Sequence, residues 1–90
     1  MVTIATSEYV REKHENAIKR YLNEVNIKDV FAYDYNYTDH TFTIYTARPG
    51  IWIGLHGAGV SRLEEILSED IADNCKVLFK EIKGNFVVHY

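Results

Sequence analysis

The sequence predicts an α+β fold in which three helices cover one face of a three-stranded sheet, in the order α-β-β-α-α-β. Three observations lead to this fold class. Apolar residues recur at helical spacing near the N-terminus, they alternate with polar residues in two central segments, and a second helical stripe precedes a short apolar run. With 90 residues, 47% of them apolar, we expect a single domain over residues 1–90, its core at about 7–83 and a tail at 84–90.

The first helix is predicted to start at Thr6 or Ser7, either of which can cap it, and to run to about Val25. Asn26 is a plausible stop, because asparagine tolerates the left-handed conformation that often ends a helix. The stripe that should face the core consists of Val10, His14, Ala17, Ile18, Tyr21, Leu22 and Val25.

Two strands are predicted next, at residues 31–37 and 41–46, because apolar and polar side chains alternate in both. A turn around Thr38 to His40 should join them as a hairpin. The first of these strands, FAYDYNY, places its aromatic rings on one face, where the first helix should cover them.

The second half of the chain is predicted to hold two helices and a strand. Pro49 suits the first position of a short helix that ends at Ile53, because it needs no amide partner there. A longer helix should run from Ala58 to about Ser68, and the apolar run Lys76 to Lys83 should form the third strand. The tail GNFVVHY could extend this strand or pack separately.

Composition narrows the function classes. The net charge of −3 argues against a strongly basic nucleic-acid binder, and residues 29–47 carry three aspartates and no lysine or arginine. No apolar stretch is long enough to span a bilayer and no signal peptide is evident, so we expect a cytoplasmic protein without membrane contact. The single Cys75 and the four histidines lack ligand spacing, so the sequence predicts no metal, no cofactor and no enzymatic activity.

The segment GIWIGLHGAGVSRL at residues 50–63 contains four glycines. Glycines placed this close allow a tight turn and the close approach of another group, and a helix N-terminus that follows such a turn attracts phosphate. The segment is not a P-loop, because it lacks the Gly-Lys-Ser/Thr ending that reaches a nucleotide.

The longer stretch FTIYTARPGIWIGLHGAGVSRLEEIL resembles the type II KH domain, and most closely the KH domain of a small-subunit ribosomal protein family. The matching residues are Thr46, Ala47, Arg48, Pro49, Gly50, Ile51, Ile53, Gly54 and Gly57, followed by Val60 and Leu63. With the element order, the resemblance covers residues 7–83.

The resemblance implies binding of single-stranded nucleic acid, in which a GXXG loop clamps the backbone and an apolar groove holds bases. The groove would involve Ile51, Ile53, Val60 and part of the Lys76 to Lys80 strand. The nucleic-acid-binding residues that we predict are Arg48, Ile51, Trp52, Ile53, Gly54, Leu55, His56, Gly57, Ala58, Val60, Arg62, Lys76 and Lys80. Family members usually carry a cationic or donor residue at one or both central loop positions, whereas this chain has Leu55 and His56.

Several of these residues have a second interpretation. Gly54 and Gly57 could simply form the turn that the fold requires, and Trp52 could belong to the core instead of stacking on a base. Arg48 could be a solvated side chain, and the lysines of the last strand could guard an exposed edge.

Three hypotheses follow from the sequence. The first is a stand-alone KH-like domain that binds single-stranded RNA or DNA weakly, with help from a partner. The second is a KH-fold protein-interaction module that has lost nucleic-acid binding and uses Trp52 and Leu55 as contacts. The third is a domain that self-associates through its tyrosine-rich strands or its tail.

Overall fold

The computed structural model describes residues 3–84 and 86–89, and the side-chain surroundings of residues 9–84. The elements are α1 (Thr3–Glu24), β1 (Ala32–Asn36), β2 (Thr41–Thr46), α2 (Pro49–Ile53), a 3₁₀ turn (Leu55–Gly57), α3 (Ala58–Asp70), β3 (Lys76–Lys83) and β4 (Phe86–His89). The predicted α+β class and the order α-β-β-α-α-β are confirmed.

The four strands form one sheet in the order β1-β2-β3-β4. β1 and β2 pair antiparallel as the predicted hairpin. β2 and β3 are parallel, because α2 and α3 return the chain to the end of the sheet at which β2 begins. β4 pairs antiparallel with Lys80–Lys83 and adds a fourth strand to the three predicted. Gly84, at φ +60°, allows the turn before β4, so the tail extends the sheet.

Helices cover one face of this sheet. Phe42, Ile44 and Thr46 of β2 are fully buried, whereas the residues between them are only half-buried. β3 repeats the pattern with Val77 and Phe79. The helices supply the other side of the core through Ala17, Ile18, Tyr21, Leu22, Trp52, Leu63, Ile66 and Leu67.

The two ends of α1 differ in how well they were predicted. The helix begins at Thr3, so Thr6 and Ser7 lie inside it and the predicted cap is wrong; no glycine or proline in residues 3–5 interrupts the helix. The predicted stop is confirmed. Asn26 has φ +57°, and the amide of Ile27 donates to the carbonyl of Leu22 at 2.9 Å, as in a Schellman motif.

Candidate nucleic-acid interface

A polar cluster fixes the start of α2. Thr46 Oγ1 accepts the amide of Arg48 at 3.1 Å and donates to Asp29 Oδ2 at 2.5 Å. The Arg48 guanidinium donates to the carbonyl of Lys28 at 2.7 Å and lies 3.6 Å from Asp29 Oδ1. Arg48, which we predicted to contact a phosphate, therefore binds through its guanidinium to the loop that precedes β1.

Trp52 does not agree with the prediction that it stacks on a base. Its side chain is fully buried, its Nε1 donates to Asp29 Oδ2 at 2.7 Å, and its ring meets those of Phe31 and Phe79 edge to face. An indole that fills the core with its one donor satisfied has no face left for a ligand. The structure places Trp52 in the core, which was the alternative interpretation.

Asp29 is the residue that connects these groups, and its side chain is only 9% exposed. Burial by itself opposes ionisation of the carboxyl group. Hydrogen bonds from Thr46, Trp52 and the Val30 amide, together with Arg48, outweigh burial and hold the pKa of Asp29 below its ordinary value. The carboxylate thus serves as a charged anchor for α2.

The glycine loop lies at the other end of α2. Gly54 has φ +75° and ψ 176°, and a Cβ there would lie 2.9 Å from the Gly59 nitrogen. Gly57 has φ +76°, and a Cβ there would meet only Val60 Cγ1 at an ordinary contact distance of 3.8 Å, so its requirement is conformational. Between them His56 is also left-handed, at φ +55°. The backbone therefore turns sharply before α3 begins at Ala58.

Gly59 was not among the predicted site residues, although it is the third glycine of the GLHGAG stretch. A Cβ on it would lie 2.4 Å from the Trp52 carbonyl oxygen and 2.5 Å from Tyr21 Oη. Tyr21 Oη donates to that same carbonyl at 2.6 Å. Gly59 therefore lets α3 approach α2 closely, and the G-x-G spacing of Gly57 and Gly59 was its only sequence signal.

The loop surface is apolar. Leu55 is 79% exposed and Ile51 is 41% exposed, while Ile53 and Val60 are half-buried against the core. His56 and Ala58 are exposed beside them. The amides of Gly57 and Ala58 already donate to the carbonyls of Gly54 and Leu55, and the dipole of α3 favours an anion at this end of the helix.

Arg62 of α3 forms ion pairs within this chain. Its guanidinium forms a two-point contact with Glu24, at 2.5 and 2.7 Å, and a third contact with Glu65. Hydrogen bonds to Glu24 first, and then to Glu65, raise the pKa of Arg62. This predicted ligand is already neutralised by two carboxylates.

The two predicted lysines lie away from the loop. Lys76 and Lys80 alternate with the buried Val77 and Phe79, so they belong to the open face of the sheet, where Lys80 Nζ lies 5.6 Å from the centre of the Tyr45 ring. On the helix side, Glu64 Oε2 of α3 accepts the Val77 amide at 2.9 Å. The groove between α3 and β3 therefore contains a carboxylate that we did not predict as a site residue.

No group of three or more histidine, cysteine or acidic side chains in the described part of the chain could hold a metal ion. Over the same residues, no helix has the length and apolar character needed to cross a bilayer.

The element order, the parallel pairing of β2 with β3 and the GXXG turn between α2 and α3 define a type II KH-like domain. The comparisons agree with this class. The chain is similar to small ribosomal subunit protein uS3 of Pseudothermotoga lettingae, with 33% identity over 80% of this chain, and of Fervidobacterium nodosum, with 40% identity over 68%. The uS3 protein of Oenococcus oeni is 41% identical over 89% of the chain.

The chain spans about a third of the length of these relatives, since the matches cover 34%, 30% and 32% of them. The resemblance that the sequence predicted is confirmed. No family model matches the chain, and no solved structure gives a significant match.

Proposed function

We propose that this chain is a non-enzymatic KH-like domain that binds single-stranded RNA or DNA weakly through Gly54 to Gly57 and the adjoining groove. The observation that carries the proposal is the geometry of the loop. Gly54 and Gly57 take backbone conformations that turn the chain immediately before the positive end of α3, where amides can receive a phosphate.

The side chains support weak binding. Arg48 and Arg62 contact acidic groups of this chain, and the exposed loop positions hold Leu55 and His56, neither of which is a lysine or an arginine. The grip on a phosphate would therefore come from backbone amides, the helix dipole and the apolar groove of Ile51, Ile53 and Val60. The relatives are proteins of the small ribosomal subunit, which favours RNA over DNA and a cytoplasmic location.

A titration tests this function. We would add mixed-sequence single-stranded oligonucleotides at low salt and follow backbone amide shifts in the wild type and in the double variant Leu55→Asp and His56→Asp. We expect shifts at residues 54–58 and their loss in the variant. Affinity should fall as salt rises, with a log-log slope of ~0.7 for each phosphate contacted.

The matched control changes Tyr37→Asp and Thr38→Asp, two exposed residues of the β1–β2 turn at the opposite end of β2 from α2. It adds the same charge but should bind as the wild type does. Unmoved loop amides, or equal binding by the Leu55 and His56 variant, would contradict the clamp.

A protein-interaction module remains the second candidate, and one observation favours it. Leu55 and Ile51 form an exposed apolar pair at the loop while both nearby arginines are paired internally. An apolar contact surface of this kind would give a salt-insensitive interaction with a protein partner. The same titration separates the two candidates, because only phosphate contacts depend steeply on salt.

A further inference from the structure

A second groove runs between α1 and the outer edge of β1, and the glycine loop does not line it. It has a volume of about 760 Å³. Its apolar lining comes from Val10 and His14 of α1 and from Phe31, Tyr33 and Tyr35 on the strand side. The groove is therefore separate from the proposed nucleic-acid interface.

The backbone of β1 forms one wall of this groove. Within the described residues β1 pairs with β2 alone and lies at the end of the sheet. In an antiparallel strand every second residue then directs its N–H and C=O groups outward, where they can pair with another strand. Natural edge strands are commonly guarded by lysine or proline, and Ala32–Asn36 contains neither.

The floor of the groove is aromatic and uncharged. The His14 ring lies 4.7 Å from the centre of the Tyr35 ring and 5.8 Å from that of Tyr33. Burial, followed by the charge of nearby Lys13, lowers the pKa of His14, which keeps its imidazole neutral. Val10, which is 38% exposed, forms the lip. The lining also includes the charged residues Arg11, Glu15, Lys19, Asp29 and Asp34, so the groove suits a segment that carries both apolar and charged side chains.

The other face of β1 carries one acidic residue. Asp34 is exposed there, and residues 29–47 contain three aspartates and no lysine or arginine. An antiparallel pairing of two copies centred on Asp34 would place two carboxylates directly opposite each other, which is destabilising. A partner strand with basic residues at these positions would form favourable cross-strand pairs instead.

We propose that β1 accepts an extended polypeptide segment as an added strand, with apolar residues facing α1 and basic residues beside Asp34. Main-chain hydrogen bonds would supply the affinity, and the alternation of apolar and basic positions would supply the specificity. This docking surface is independent of the Gly54 to Gly57 loop, so either can fail without the other.

The test uses a blocked synthetic peptide in which valine and lysine alternate over about six residues, the usual length of a strand. We expect it to shift the amides of residues 32–36 and to leave those of residues 54–58 in place. Val10→Asp should weaken binding at least tenfold by placing a charge at the apolar lip. Val25→Asp is the matched control, because Val25 is also 38% exposed but does not line the groove.

A second pair of variants tests the charge. Asp34→Asn keeps an acceptor for Tyr45 Oη, which lies 2.9 Å away, and should weaken the lysine peptide about threefold, whereas Asp39→Asn in the turn should not. A peptide with glutamate in place of lysine should bind less well. The proposal would be overturned if the peptide did not bind, or if Val10→Asp bound it as well as the wild type does. It would also be overturned if, before any peptide is added, sedimentation showed a dimer and the amides of residues 32–36 were protected from hydrogen exchange.

Discussion

The two ends of α2 are held in different ways. At the N-terminal end, the buried Asp29 carboxylate receives hydrogen bonds from Thr46 and Trp52 and lies beside Arg48. At the C-terminal end, the chain passes through Gly54 and Gly57 with no charged side chain in the turn, and Leu55 is exposed to solvent. A polar network fixes one end, and backbone conformation with close packing fixes the other.

This difference shows how a loop can have a defined backbone geometry and still be poor in charge. The two arginines of this region, Arg48 and Arg62, each contact carboxylates of this chain. The glycine loop therefore exposes mainly backbone and the apolar side chains of Leu55 and Ile51. The loop and the network should therefore respond differently to substitution.

The largest effect is expected at the glycine end. Gly59→Ala would force a Cβ to within 2.4 Å of the Trp52 carbonyl oxygen and 2.5 Å of Tyr21 Oη, so α3 must move away from α2. We expect a loss of about 3 kcal/mol in the free energy of unfolding, measured by urea denaturation. The control is Gly50→Ala, where no atom lies within 4 Å and where alanine should be neutral or slightly stabilising. Equal effects of the two substitutions would contradict this packing.

The next effect is expected at the polar end. Asp29→Ala leaves the buried Trp52 N–H without its acceptor and should lower the free energy of unfolding by about 2 kcal/mol. Asp34→Ala, an exposed aspartate whose partner is Tyr45, should change it by less than about 0.5 kcal/mol.

The lowered pKa of Asp29 predicts that the stability of the fold depends on pH. Since folding lowers the pKa of Asp29, its contribution is present above the ordinary aspartate value of about 4 and is lost as pH falls through the folded pKa. The difference in stability between wild type and Asp29→Ala should therefore shrink as pH falls below about 4. A difference that stays constant through this range would show that the ionised carboxylate is not the anchor.

A smaller effect should follow from restoring charge to the loop. Changing Leu55→Lys and His56→Lys adds two cations on an exposed turn without removing a core contact. If the loop binds phosphate, oligonucleotide affinity should rise about tenfold at low salt, and the log-log salt slope should steepen by about 1.4, since each added phosphate contact contributes ~0.7. Tyr37→Lys with Thr38→Lys in the β1–β2 turn controls for general charge. Equal gains in both variants would argue against a localised site.

The sequence predicted the glycine end of α2 better than the polar end. The bounds of β2 and β3 agree with those predicted, because alternation marks β2 and because Asn74 and Gly84 bound the apolar run of β3. The positions of Gly54 and Gly57 mark a turn by themselves. Asp29 lies 23 positions before Trp52, and Glu24 lies 38 positions before Arg62, and no local pattern indicates such pairs. Arg48, Trp52 and Arg62 were consequently predicted as ligands although the fold uses their polar groups internally.

The smallest effect is expected from Glu64, a residue of α3 whose carboxylate contacts the backbone of β3. Its carboxylate accepts a hydrogen bond from the Val77 amide at 2.9 Å and so satisfies that backbone donor of β3. It also adds negative charge where the resemblance implies that bases bind. Glu64→Gln keeps an acceptor for that amide and removes the charge. It should therefore leave stability nearly unchanged and raise oligonucleotide affinity about twofold to fivefold, as expected for one partly screened charge. Glu12→Gln, an exposed position on α1, should raise the oligonucleotide affinity less. An equal gain would show that only the net charge matters and that bases do not bind between α3 and β3.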